Sequence, residues 1–355
     1  MKAPLFPQLK VGSLTLGTPV IQAPLSGYSD APMRRLARKF GASFALCEVF
    51  LDQFVLEVSK RSKSRFYLDV RDSDKPAGAQ LMGSSSDEFV SAALRLVELG
   101  FDLVDLNFAC PVKKVVGKSR GGYLVSDPAR AIEIAKRVRE ALPSEIPVTV
   151  KLRKGFDETE SSRESFWRLL DGLLDVGING VALHGRTVLQ RYQGKADWNF
   201  VRDVKEHIAV KRNLPQVPLL GCGDLFSEDV VVQRMRESGV DGVALARGII
   251  GNPWLFARVK ALLEGRPVPP PPTIQEQKET IVEHFRAVLD LYGEKRGATI
   301  MRKFGVAYSK LHPESEKLRM EFVTCKTAKG WFEILDKYYA QDERPINQPI
   351  SETAP

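Results

Sequence analysis

At 355 residues the chain exceeds one average domain but fits a single large unit with a smaller companion. A 43% hydrophobic content excludes a disordered polymer, and four cysteines without CxxC pairing exclude a disulfide or zinc scaffold. The net charge of +8 favours polyanionic partners such as nucleic acid without bearing on fold.

The opening segment lacks a long apolar leader, and no run approaches the length of a membrane span, so a soluble cytoplasmic protein is expected. Leu9–Leu16 (LKVGSLTL) reads as a hairpin suited to plug the N-terminal face of a barrel. Short apolar, β-rich runs then alternate with helical patterns. The expected strands are Pro19–Ala23, Phe44–Glu48, Ala77–Leu81, Leu103–Asn107, Val148–Leu152, Gly180–His184, Pro218–Gly221 and Gly242–Ala246. Most are near-continuous apolar runs, as strands buried on both faces require. Ser86–Leu99, stopped by Gly100, and Pro128–Ala141, opened by Asp127, carry helix signals between them. Eight such alternations predict an α/β fold, a (β/α)8 TIM barrel, over residues 1–262. EGRPVPPPPT within 263–273 is a proline-rich linker, 274–340 has helical periodicity expected to form an RNA-binding domain, and 341–355 reads as a flexible tail.

In such barrels, strand C-termini and the following loops build the active site. Pro24, Glu48, Gln80, Asn107, Lys151, His184, Gly223 and Arg247 fall there. Capping of strand ends accounts for any one of these residues but poorly for all eight. Gly221-Cys222-Gly223-Asp224 and Ala246-Arg247-Gly248 follow the last two strands, where backbone N–H groups commonly cradle phosphate. A flavin there needs a positive charge near its N1–C2=O edge, amide partners and a flat platform. Lys151 supplies the charge, Gln80 and Asn107 the amides, and Pro24-Leu25-Ser26-Gly27 the platform. His184 is a further candidate at the same end. Cys110, in DLNFACPVKK, is the candidate acid, since a thiol of pKa about 8.5 holds its proton at neutral pH. No metal site is expected.

These residues together resemble the dihydrouridine synthases, most closely the bacterial B-type branch, from Ala23 to about Arg319. APLSGYSD (Ala23–Asp30) is similar to the family's flavin-platform motif, and AGAQLMG (Ala77–Gly83) to the segment whose glutamine, here Gln80, contacts the flavin. DLNFACPVKKVVGKSRGGYL (Asp105–Leu124) carries the most specific likeness, which implies that Cys110 is the catalytic acid and Asn107 a positioning residue. VTVKLRKGF (Val148–Phe156) implies that Lys151 binds flavin, and ALHGRTVLQRYQGKADW (Ala182–Trp198) matches a further signature. Four positions depart from the family pattern: Ala109 for Gly, Cys222 for Asn, Ala246 for Gly and Phe304 for His.

The resemblance implies an FMN-dependent enzyme that reduces a uridine in structured RNA, tRNA foremost, with NADPH or NADH as reductant. Its cofactor contacts would come from Ala23, Pro24, Leu25, Gln80, Asn107, Lys151, His184, Gly221, Cys222, Gly223, Asp224, Ala246 and Arg247. Substrate contacts would come from Asn107, Arg186, Lys113, Lys114, Arg302 and Lys303, with the basic segment Ser59–Arg65 beside them. A monomer is expected. Three alternatives stay open: action on ribosomal RNA, a small-molecule FMN oxidoreductase of the dihydroorotate dehydrogenase kind, and an RNA-binding flavoprotein without chemistry.

Overall fold

A computed structural model describes residues 6–58, 65–68, 70–340 and 344–346. The hairpin is present as β1 (Leu9–Val11) and β2 (Leu14–Gly17). Its turn uses Gly12 at φ +55°, where a side chain would press on Pro147 and Asn179. Leu9, Val11 and Leu16 pack with Ile21, Phe44 and Leu103 from inside the barrel, so the hairpin closes the N-terminal end.

All eight expected strands form and close into one parallel barrel: β3 (Val20–Gln22), β4 (Phe44–Leu51), β5 (Ala77–Met82), β6 (Leu103–Asn107), β7 (Val148–Arg153), β8 (Gly180–His184), β9 (Leu219–Cys222) and β10 (Gly242–Leu245), which pairs with β3. Leu103–Asn107 and Gly180–His184 form as expected, and the other six strands differ at one or both ends by one to three residues. Pro19 drops out because it has no N–H to give the ladder. β4 runs on to Leu51 because a register shift between Leu46 and Val49 lets it keep pairing with β5.

Alternation along each strand decides the chemistry of the interior. In β6, Val104 and Leu106 join the apolar layer against the helices, leaving Leu103, Asp105 and Asn107 on the opposite face. In β7, Val148, Val150 and Leu152 do the same and leave Thr149, Lys151 and Arg153. The inner face is therefore apolar near the hairpin and polar toward the strand C-termini.

Among the described residues, nine α-helices surround the barrel: α1 (Ala31–Lys39), α2 (Asp52–Glu57), α3 (Ser86–Glu98), α4 (Lys113–Val116), α5 (Pro128–Ala141), α6 (Glu160–Val176), α7 (Trp198–Glu206), α8 (Glu228–Ser238) and α9 (Trp254–Leu263). Ser85 caps α3 through the Glu88 amide, and Asp127 caps α5 through that of Arg130. Each such cap contributes about 1 kcal/mol.

After residues 266–272, which form no helix or strand, come α10 (Ile274–Tyr292), α11 (Glu294–Ser309), α12 (Ser315–Thr324) and α13 (Ala328–Tyr338). A capping box between Thr273 and Glu276 opens α10. Trp331 is fully buried between Phe285 and Phe322, with ring centroids 4.8 and 4.4 Å away. This helical region packs along α1: Tyr292 donates to Asp30 at its N-terminal end at 3.0 Å, and Glu283 pairs with Lys39 at its C-terminal end. No helix among the described residues is long and apolar enough to cross a membrane.

Candidate active site

Register brings the inward polar residues together at the strand C-termini. Gln80 sits beside Asp105, Asn107 beside Lys151, Arg153 beside His184, and His184 beside Cys222 on neighbouring strands. Asn107 Nδ2 donates to Gln80 Oε1 at 2.6 Å, and Gln80 Nε2 donates to Asp105 at 2.6 Å. Asn107 Oδ1 accepts the backbone N–H groups of Ala109 (3.0 Å) and Cys110 (2.9 Å). The proton-donor candidate is thus tied to the amide pair by its own backbone.

Cys110 is neither buried nor fully exposed. Burial pushes its pKa above the ordinary thiol value, so it keeps its proton at neutral pH. Gly121 and Gly122 lie against this loop, where a Cβ at either would come within 3 Å of Cys110 atoms. Gly122 N also donates to the Cys110 carbonyl at 3.0 Å.

Across the mouth, His184 is buried and its pKa lies well below the usual imidazole value, first from burial and then from Arg153, Lys151, Arg186 and Arg247 around it. It is neutral at physiological pH. Lys151 Nζ approaches Cys222 Sγ at 3.4 Å, and that thiol also faces the Leu183 carbonyl at 3.3 Å. Cys222 thereby fills inward space between Lys151 and the Leu183 carbonyl. Gly223, at φ +115°, lies flat on His184: a Cβ there would meet the ring at 2.5 Å. Trp198 Nε1 holds the Gly223 carbonyl at 3.2 Å. Arg247 lies over the Tyr192 and Phe226 rings, 4.7 and 5.4 Å from their centroids.

On the platform side, Ala23 N bonds the Leu245 carbonyl at 2.8 Å, and Pro24 lines the same interior cavity as Asp105, Thr149 and Lys151. Ser29 Oγ accepts the Leu25 amide at 2.6 Å and fixes the turn. Glu48 accepts the Gly27 amide at 2.9 Å.

Two expected substrate contacts are placed differently. Arg186 is 1% exposed, and its guanidinium is used inside the chain. It pairs with both oxygens of Asp224 (2.9 and 2.8 Å) and donates to the carbonyls of Gln193 and Gly194. It braces the loops after β8 and β9 because a buried cation must be paired. Lys303 turns inward, donating to the Gly27 carbonyl and lying 4.6 Å over the Tyr28 ring. Asp30 and Glu48 supply its counter-charges. Phe304, the departure beside it, is fully buried edge-on to Tyr28 and His284. Lys113 and Lys114 are exposed on α4, immediately past Cys110, and Arg302 is partly exposed on α11. Residues 59–64 of the basic segment Ser59–Arg65 lie outside the described residues.

Three residues that sequence reasoning passed over belong here. Arg153 donates to the Ala109 carbonyl at 2.9 Å and to those of Thr187 and Arg191 at 2.8 Å. Asp105 and Thr149 lie beneath the amide pair, 2.5 Å apart. Their signal is a polar residue breaking an apolar strand at the inward phase, as in LVDLN and VTVKLR.

The donor set suits FMN. Four cationic side chains surround His184 while Asp224 offsets two of them, Arg186 and Arg247, which leaves an electropositive mouth for a phosphate and for an electron-rich ring edge. Glycine backbone lines the same side, and two buried carboxamides line the other.

Comparison with known proteins gives a consistent answer. Residues 21–342 match the family model described as dihydrouridine synthase. The chain is 33% identical over 311 residues to a probable tRNA-dihydrouridine synthase of Rickettsia conorii, covering 88% of this chain and 90% of that one. It is 30% identical over 331 residues to tRNA-dihydrouridine synthase B of Xanthomonas campestris pv. campestris, covering 93% and 96%. Among solved structures, morphinone reductase in complex with tetrahydroNAD aligns with TM-score 0.52 and 16% identity over 76% of this chain and 93% of that one. Histamine dehydrogenase from Rhizobium sp. 4-9 aligns with TM-score 0.53 and 18% identity, over 74% and 48%. These two likenesses establish the shared barrel. The family match, spanning both the barrel and the helical region, makes this chain a member of the dihydrouridine synthase family and a flavin-dependent oxidoreductase.

Proposed function

We propose that this enzyme reduces the C5–C6 double bond of a uridine in folded tRNA to 5,6-dihydrouridine, with FMN as cofactor, NADPH as electron source and Cys110 as proton donor. The observation that carries the reading is the Cys110 loop. Its backbone is bound to Asn107, its neighbour Ala109 to Arg153, and its half-buried thiol is held in the protonated form by burial.

FMN reduced by NADPH would supply the hydride that adds to uracil C6. It would be held by the platform Ala23-Pro24-Leu25, the carboxamides of Gln80 and Asn107, Lys151, His184, and the Gly221–Asp224 and Ala246–Arg247 loops. Lys151 brings positive charge to the mouth. His184, neutral because of its burial and then its cationic surroundings, presents one ring nitrogen as donor and one as acceptor. Cys110 Sγ gives its proton to C5, and the uracil enolate formed by hydride addition is thereby quenched. Arg186 acts on this site through Asp224, by holding the loop that carries Gly223.

A uridine inside folded RNA must leave its stack to enter such a mouth, which favours loop positions. Lys113 and Lys114 stand beside the entrance, and Arg302 lies on the helical region, where each can meet phosphate. The similarly sized relatives named tRNA-dihydrouridine synthases support tRNA as substrate.

Positioned acid catalysis contributes about 10² to 10⁴ in rate, so Cys110→Ala should bind tRNA normally and form dihydrouridine at least about a hundredfold more slowly. Single-turnover product formation by the FMN-saturated variant, measured by mass spectrometry of digested RNA, is the check. An undiminished rate would reject Cys110 as the acid.

A further inference from the structure

Below the carboxamide pair lies a carboxylate that the chemistry above does not use. Asp105 is 2% exposed in the middle of β6, and burial raises its pKa. A buried carboxylate of this kind destabilises a fold unless its oxygens are satisfied. Both are: Oδ2 accepts Gln80 Nε2 at 2.6 Å, and Oδ1 accepts Thr149 Oγ1 at 2.5 Å.

The consequence is one of polarity. A carboxamide has a donor end and an acceptor end, and which end faces which neighbour is set by its partners. The carboxylate facing Gln80 accepts, so Gln80 presents its NH2 downward and its oxygen toward Asn107. Asn107 must then present its own NH2 to Gln80, which turns its oxygen to the loop. That oxygen meets the backbone N–H groups of Ala109 and Cys110, which can only donate. The chain of donors and acceptors is consistent from end to end across three strands and the loop. Reversing any one amide leaves two donors or two acceptors in contact, at a buried site.

We infer that Asp105 is a positioning residue: through Gln80 and Asn107 it sets the orientation of both carboxamides and the placement of the loop that carries Cys110. It touches neither the thiol nor the mouth. Thr149 completes it by occupying the second carboxylate oxygen. One N–H of each carboxamide is committed inside the chain. This inference rests on the assignment of Cys110 as proton donor for its catalytic consequence, but the arrangement of the loop can be read without turnover.

The experiment compares Asp105→Asn, Thr149→Val, the double variant and Asp105→Leu, all saturated with FMN. Two quantities are measured: the rate of Cys110 alkylation by iodoacetamide, followed on the Cys110 peptide, and the single-turnover rate of uridine reduction alongside KM for tRNA. Asp105→Asn keeps the order, because its oxygen accepts from Gln80 while its NH2 donates to the Thr149 hydroxyl. Thr149→Val also keeps it, because the carboxylate still accepts from Gln80. Each single variant should stay within about threefold of the parent in both quantities. The double variant leaves the asparagine NH2 facing a methyl group, and Asp105→Leu removes the acceptor. Both should react at least about tenfold more slowly in turnover, with KM for tRNA unchanged and Cys110 alkylation altered by at least about threefold. Additive effects in the double variant, or either quantity holding at the parent value in both broken variants, would overturn the inference. Should Asp105→Leu fail to fold, the Asn and Val cycle decides alone. A parent protein that reduces no uridine defeats the proposed reaction, while the alkylation series still reports on the loop.

Discussion

Arg153 Nε lies 2.9 Å from the carbonyl oxygen of Ala109, the residue before Cys110. The same guanidinium reaches the carbonyls of Thr187 and Arg191 in the loop after β8. One side chain therefore joins the two loops that border the mouth. Burial lowers its pKa to about 10, yet it remains a cation at neutral pH. Arg153→Met would leave three carbonyls without this donor, at about 1–3 kcal/mol for each that stays buried. The expected result is a lower melting temperature and at least about a tenfold loss of single-turnover rate, with tRNA affinity unchanged in a filter-binding assay.

Gly223→Ala tests the glycine loop after β9. Its φ of +115° is strained for any L side chain, and the added methyl would overlap the His184 ring. The ring cannot retreat freely, since Arg186 stands 3.3 Å from its Nε2. A destabilisation of about 1–3 kcal/mol from backbone strain alone is expected, with weakened FMN retention. Flavin absorbance after gel filtration and thermal melts provide the readings; a variant that keeps its flavin and its melting point would contradict the close packing.

The raised pKa of Cys110 has a direct kinetic consequence. A general acid works only while protonated, so the rate holds while the thiol keeps its proton and falls as pH rises through its pKa. Because burial moves that value up, the single-turnover rate should stay flat past about 8.5, where a free thiol is half ionised, and decline only above it. A pH–rate profile that falls below that point would show a thiol unlike the one placed here. The neutral state of His184 predicts that no limb near about 6.5 arises from that residue.

The entrance lysines distinguish an RNA enzyme from a reader of free nucleobases. Binding of tRNA should weaken steeply with salt, and Lys113→Ala/Lys114→Ala should reduce the slope of log K against log[salt] by about 1 for each phosphate no longer engaged. Reduction of free uridine, if measurable, should be unaffected by the pair. A salt slope identical to that of the parent would remove both lysines from the RNA path.

How much of this is legible in the chain depends on whether the signal is local. The strands are, because an apolar run and a helix cap are properties of a few consecutive residues. The end of β4 is not, since its extension to Leu51 depends on a register shift against β5. Cys110, Lys151 and the two glycine loops stand out by position after strands. Arg153 lies in a recognised segment and is easily passed over, because only its reach across the mouth shows its use.

Sequence by itself determined the barrel, the plugging hairpin and the helical region after a proline-rich stretch, and it nominated the thiol and the glycine loops as site candidates. Tertiary structure decided which charges face the mouth and which are used internally. Arg186 and Lys303 read as substrate contacts in the chain, yet one is paired with Asp224 and the other with the Gly27 carbonyl, 276 residues away. The reason is physical: a cation's role is set by the partner that desolvation forces on it, and that partner is supplied by strand register and domain docking. Asp105 is the same case in the core, where a carboxylate between two apolar neighbours acquires its function from residues 25 and 44 positions distant.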